Sequence, residues 1–117
     1  MATILIAEPD PGTWSLLELF VLRLGHRPIG QRELAEGELP DLMLLEPSSR
    51  LGLRQARGLR ERLQQLPILC VSIVPPNAET RELGTVGHVM KPFRRSELER
   101  EIEQALAPEP AAELQSA

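Results

Sequence analysis

Five short strand-like runs, alternating with helical segments, predict an α/β fold in which a five-stranded parallel sheet is flanked by helices on both faces. Three observations carry this. The runs at residues 3–7, 41–45 and 67–74 are apolar apart from Thr3, Asp41 and Ser72, as expected of strands covered on both sides. The stretches between them carry apolar residues at helical spacing with recognisable start and stop signals. Strand-like and helix-like segments alternate along the whole chain, which implies crossover connections between parallel strands.

Thr3 to Ala7 is the first strand. Asp10-Pro11 reads as a capping residue followed by proline at the first helical position, and Trp14, Leu17, Val21 and Leu24 then repeat at helical spacing until Gly25 stops the helix. Residues 27–31 make a weak second strand, and residues 33–37 leave room for about one helical turn before Pro40, so the second helix is shortened. The third strand, 41–45, delivers Glu46 at its C-terminal end, ahead of Pro47, Ser48 and Ser49. From about residue 51 to 66, Leu53, Ala56, Leu59 and Leu63 line one face of an amphipathic helix that Gly52 and Gly58 weaken. Residues 67–74 form a fourth strand, Ala78–Leu83 a short fourth helix, and residues 85–90 a fifth strand. Ser96-Glu97-Leu98-Glu99 matches a capping box, and Leu98, Ile102 and Leu106 form the buried stripe of a last helix.

The 117 residues suit one domain, assigned to 1–107, with 108–117 a flexible Pro/Ala/Glu tail that has little to bury. Thirteen basic against seventeen acidic side chains give a net charge of -4, which argues against nucleic acid or an anionic membrane as partner and favours a protein. Cys70 has no cysteine to pair with and sits in an apolar run, so it reads as a core residue; His26 reads as structural, and the two histidines lack zinc-ligand spacing. The chain opens on its first strand without a basic leader, and no apolar stretch reaches the roughly 18 residues a bilayer requires. The expected location is the cytoplasm.

In an open parallel sheet the functional crevice lies beyond the carboxyl ends of the strands. Those ends hold Glu8, Glu46, Ser72 and Lys91. Lys91 is the single lysine beside twelve arginines, consistent with a compact ammonium being required there.

Over Ile4 to Leu106 this pattern resembles the receiver domain of two-component response regulators, a flavodoxin-like fold, here with shortened second and fourth helices. Ile4-Leu5-Ile6-Ala7-Glu8-Pro9-Asp10-Pro11 looks like the receiver start, where two acidic residues hold a divalent metal. Residues 41–46 look like the third strand, which in the family ends in the aspartate that accepts phosphate. Residues 66–72 resemble the fourth strand with its terminal Ser or Thr, and Met90-Lys91-Pro92-Phe93 the Lys-Pro segment after the fifth, whose Lys91-Pro92 bond the resemblance implies to be cis.

The departures fall on the chemistry. Glu46 stands at the phosphoacceptor position, and the acidic pair reads Glu8-Pro9, in which Pro9 offers no side-chain oxygen. Glu46 carries its carboxylate on the order of 1 Å further out than aspartate would, and a misplacement of that size can cost about 100-fold. Asp10 suits helix capping better than metal ligation. The resemblance implies a degenerate, stand-alone receiver that is not an enzyme and binds magnesium weakly at most. Its pocket is Glu8, Asp10, Glu46, Ser72, Lys91 and Pro92, and His88 stands at a position where receivers carry a switching aromatic. Glu46 reaching toward Lys91 and Ser72 would replace the phosphorylated state. The expected partners are signalling proteins, a histidine kinase or a downstream effector, or a second copy of the chain. They would dock on the face of the fourth helix, fifth strand and fifth helix, including Arg94, Arg95 and Ala78–Leu83. The alternatives are a working receiver with Glu46 as acceptor, and a dimerising module of a longer regulator. Ser48 and Ser49 lack a histidine base, and no glycine-rich phosphate loop is present, so hydrolase and nucleotide-enzyme chemistry have no support.

Overall fold

Along β1 (Thr3–Ala7), Ile4 and Ile6 enter one apolar cluster while Leu5 and Ala7 enter another, the alternation a pleated strand imposes. The computed structural model describes residues 1–107, and the 108–117 tail of the sequence reading lies outside the described residues. Its elements run β1, α1 (Pro11–Arg23), β2 (Arg27–Ile29), α2 (Gln31–Ala35), β3 (Leu42–Leu45), α3 (Arg50–Arg62), β4 (Ile68–Ser72), α4 (Ala78–Leu83), β5 (Gly87–Met90) and α5 (Arg95–Leu106). The five strands are parallel and ordered β2-β1-β3-β4-β5. The expected fold class is therefore the observed one.

Two cores sandwich the sheet. Leu17, Phe20 and Val21 of α1 and Leu98 and Ile102 of α5 join Ile4, Ile6, Leu42, Leu44, Leu69, Val71 and Val89 on one side. Ala56 and Leu59 of α3 and Leu83 of α4 join Leu5, Ala7, Met43, Leu45, Ile68 and Cys70 on the other. The central strands β3 and β4 are buried throughout, which explains why Ser72 is their one polar residue. Each fully buried Leu or Ile contributes roughly 1.5–3 kcal/mol of transfer free energy.

Local signals explain most boundaries. The Asp10 side chain accepts from Thr13 N at 2.8 Å and caps α1, as the Asp-Pro pair implied. Gly25 supplies the left-handed backbone (φ 84°) that ends the helix. At Gly52 an added Cβ would come within 3.0 Å of Leu45 Cδ1, so the glycine that weakens α3 as a sequence lets the helix lie close on β3.

Several boundaries differ from expectation. The fifth helix does not use the Ser96/Glu99 capping box: its N-cap is Arg94, Leu98 N bonds Arg94 O at 3.1 Å, and Glu99 pairs with Arg95 instead. Phe93, packed on the core and edge-on to Phe20 at 6.4 Å, brings the chain into the helix before Ser96. The third helix ends at Arg62 rather than near Leu66, because the Arg60 guanidinium gathers the carbonyls of Leu63, Gln64, Leu66 and Leu83. The second helix begins at Gln31, two residues early, as Glu33 accepts from Gly30 N at 2.9 Å. Strands β2, β4 and β5 are each shorter than their apolar runs. Among the described residues no helix is long and apolar enough to cross a membrane.

Candidate functional site

The sheet order reverses direction at β1 and β3, and there the chain leaves the sheet to opposite sides and opens a crevice. Glu8 follows β1, Glu46 follows β3, Ser72 ends β4 and Lys91 follows β5. The topology thus brings together four side chains that lie as far as 83 residues apart in sequence.

Lys91 organises the group. Its ammonium donates to Glu8 Oε1 at 2.5 Å and lies 3.8 Å from Glu46 Oε2. Glu8, Glu46 and Ser72 are all buried. The second Glu8 oxygen accepts from Asp10 N at 3.1 Å, which fixes the carboxylate from the loop side. Glu46 Oε1 accepts from Ser48 Oγ at 2.7 Å and from Ser72 Oγ at 3.3 Å. Glu46 Oε2 has no hydrogen-bond partner among the described residues. Two buried carboxylates share one ammonium, an arrangement that resists losing the ammonium because each remaining charge would be stranded in a poor dielectric.

The remaining named residues fall in place around this group. Pro92 follows Lys91 through a cis peptide bond, and Lys91 N bonds Ser72 O at 2.8 Å, which locks the lysine to the end of β4. Asp10 turns away to cap α1, and its carboxyl is held below its ordinary value by the Thr13 amide and hydroxyl, with a lesser contribution from Lys91. His88 is half-buried on the edge strand β5 and bonds the Val74 carbonyl through Nε2 at 2.7 Å, while Nδ1 finds no partner among the described residues. The ring is anchored to the β4–α4 connection. Ser49 caps α3 through Gly52 N at 3.0 Å, whereas Ser48 turns to Glu46, a contact the sequence did not disclose. Its signal was its position two residues after an acidic strand end. His26 is structural: its ring accepts from Ala2 N and reaches Glu103, both at 3.0 Å.

Magnesium requires near-octahedral oxygen ligation. The site does not fit it: Glu8 is bonded to the Lys91 ammonium and Glu46 lies 3.8 Å from it, Pro9 contributes no side-chain oxygen, and Asp10 is engaged by Thr13. Among the described residues no group of three or more His, Cys, Asp or Glu side chains is disposed to hold a metal ion.

No protein-family model and no curated protein sequence matches the chain. Its fold has clear relatives among solved structures. The chemotaxis protein CheY4 of Vibrio cholerae superposes with a TM-score of 0.80 at 16% identity, covering 91% of this chain and 99% of that one. A response regulator from Thermotoga maritima gives 0.75 at 16% identity, covering 91% and 98%. The receiver domain of a sensor histidine kinase from Pseudomonas aeruginosa, whose active-site cleft coordinates a magnesium ion, gives 0.76 at 21% identity, covering 90% and 97%. At such identities the likeness concerns architecture, and the chain has the fold of response-regulator receiver domains.

Proposed function

We propose that the chain is a receiver-like signalling module that works by binding other proteins, is not an enzyme, and does so without being phosphorylated. One observation carries the reading: the ammonium of Lys91 is already bound by Glu8 and lies 3.8 Å from Glu46, so both carboxylates that a metal would need are held against a resident cation. Phosphoryl transfer rests on positioning and on neutralising charge around the moving group. An acceptor lengthened by one methylene, with Pro9 beside Glu8 and the Asp10 carboxylate turned to cap α1, meets neither need.

The docking face is the edge formed by α4, β5 and α5. There Val86 and Met90 expose apolar surface, Arg94 and Arg95 stand in solvent, and β5 offers a free sheet edge. A histidine kinase or a downstream effector is the partner class proposed for it, with a second copy of the chain the competing occupant. Binding measured against a panel of kinase and effector domains is expected to be unchanged by magnesium and a small-molecule phosphodonor, and to be lost in Met90→Asp and Arg94→Glu. A partner that binds only after phosphodonor treatment overturns the reading.

The unpartnered Glu46 Oε2 favours a second reading, in which that oxygen accepts phosphate as an atypical acceptor. It requires saturable magnesium binding at Glu8 and Glu46, read as shifts of the amide resonances of these residues.

A further inference from the structure

Helix α3 reverses the charge of the molecule around it. The chain as a whole carries a net charge of -4, yet Arg50–Arg62 holds five arginines and one glutamate. Arg60 is consumed in holding backbone carbonyls, and Arg57 pairs with Glu79 of α4 at 2.9 Å. Arg50 and Arg54 are exposed and have no ion-pair partner among the described residues. They stand at i and i+4, so both face the same side of the helix about 5–6 Å apart at Cβ.

That side is a groove of about 630 Å³ between α3 and α4, lined by Arg50, Arg54 and the Arg57–Glu79 ion pair, with Ser48 and Asn77 among its polar walls and Leu53 among its apolar ones; the one carboxylate in the lining is thus already neutralised by Arg57. The volume is in the range that small-molecule sites occupy, roughly 300–1,000 Å³. Guanidinium groups bind phosphate oxygens two at a time, and a pair one helical turn apart matches two linked phosphates. The positive end of the α3 dipole lies at the same mouth. Among the described residues no aromatic ring lines the groove, so recognition falls on the anionic part of the ligand.

We propose that the α3–α4 groove is a binding site for a diphosphate group, with Arg50 and Arg54 each taking one phosphate and Leu53 packing against whatever the diphosphate is attached to. The groove borders the buried pocket through Ser48, whose single hydroxyl proton is given to Glu46 Oε1. A ligand at the groove therefore adjoins the second hydrogen bond of Glu46. The site stands independently of whether Glu46 is phosphorylated or which protein docks on β5.

The experiment is a titration of the isotopically labelled chain with inorganic pyrophosphate and, separately, with adenosine diphosphate, followed by amide resonances. Arg50→Gln/Arg54→Gln is the test variant, and Arg23→Gln/Arg100→Gln, exposed arginines outside the groove, is the control. Saturable shifts confined to Ser48, Arg50 to Arg57 and Asn77, weakened at least tenfold in the test variant and retained in the control, bear the site out. Saturation by both probes assigns recognition to the diphosphate itself; saturation by the nucleotide alone assigns it to a diphosphate carried on a larger molecule. An absence of saturable shifts with either probe overturns the proposal, as do shifts centred elsewhere or an equal loss in both variants.

Discussion

Lys91 is the residue on which the site turns. Its ammonium is the only positive charge within reach of two buried carboxylates among the described residues, bonded to Glu8 and 3.8 Å from Glu46. Lys91→Met leaves both carboxylates buried and opposed, a loss on the order of 3–5 kcal/mol for a broken buried pair. In a thermodynamic cycle with Glu8→Gln the double variant is expected to recover part of that loss, measured by chemical denaturation. Costs that simply add would show that the pair is not coupled. Cys70 behaves differently: burial, followed by the nearby Glu46 carboxylate, pushes its thiol up to about 11. It is expected to resist alkylation near neutral pH until denaturant is added, and rapid modification of the native protein would contradict its place in the core. At this scale the sequence was informative where chemistry is local to a strand end. Glu8, Glu46, Ser72 and Lys91 could be named from position alone. It could not reveal that Lys91 bonds Glu8 and lies further from Glu46, because that contact joins residues 83 positions apart through the tertiary fold.

Among the elements, those with a long apolar run or a strong cap were legible, since one dominant local term decides them. Helix α1 follows from Asp10-Pro11 and Gly25, and β3 and β4 follow from largely apolar runs. Helix α5 was legible in its apolar stripe and not in its start, because the tertiary contact of Phe93 with Phe20 outweighed a good Ser96/Glu99 motif. The end of α3 depended on Arg60 reaching carbonyls of a loop and of α4, a long-range contact invisible in a window of sequence. Strand β2 is short and only partly buried, and it is held from outside by the bidentate ion pair of Arg27 with Glu38. The hydrogen bonds from Arg27 depress the Glu38 carboxyl below its ordinary 4.5, so this contribution is complete above that value and is lost as pH falls through the lower native one. The melting temperature of Glu38→Gln is expected to lie below that of the natural chain near neutral pH, with the gap closing in acid. A gap that persists at low pH would mean that the ion pair does not hold β2.

For the molecule as a whole, one fold serves two separable features. The parallel sheet gathers Glu8, Glu46, Ser72 and Lys91 at the carboxyl ends of four strands, and the helices on its far side carry an arginine-lined groove beside them. The architecture was readable because alternation of strands and helices leaves few topologies, and receiver structures share it at 16–21% identity. Fold alone does not carry function, which is why the altered strand ends matter more than the likeness. The most direct measurement of the central claim is the intact mass of the purified protein after incubation with magnesium and a small-molecule phosphodonor, with Glu46→Gln and Glu46→Asp alongside. The mass of the natural chain is expected to stay unchanged. A phosphoryl adduct on it that Glu46→Gln cannot take would contradict the account and make Glu46 a working acceptor.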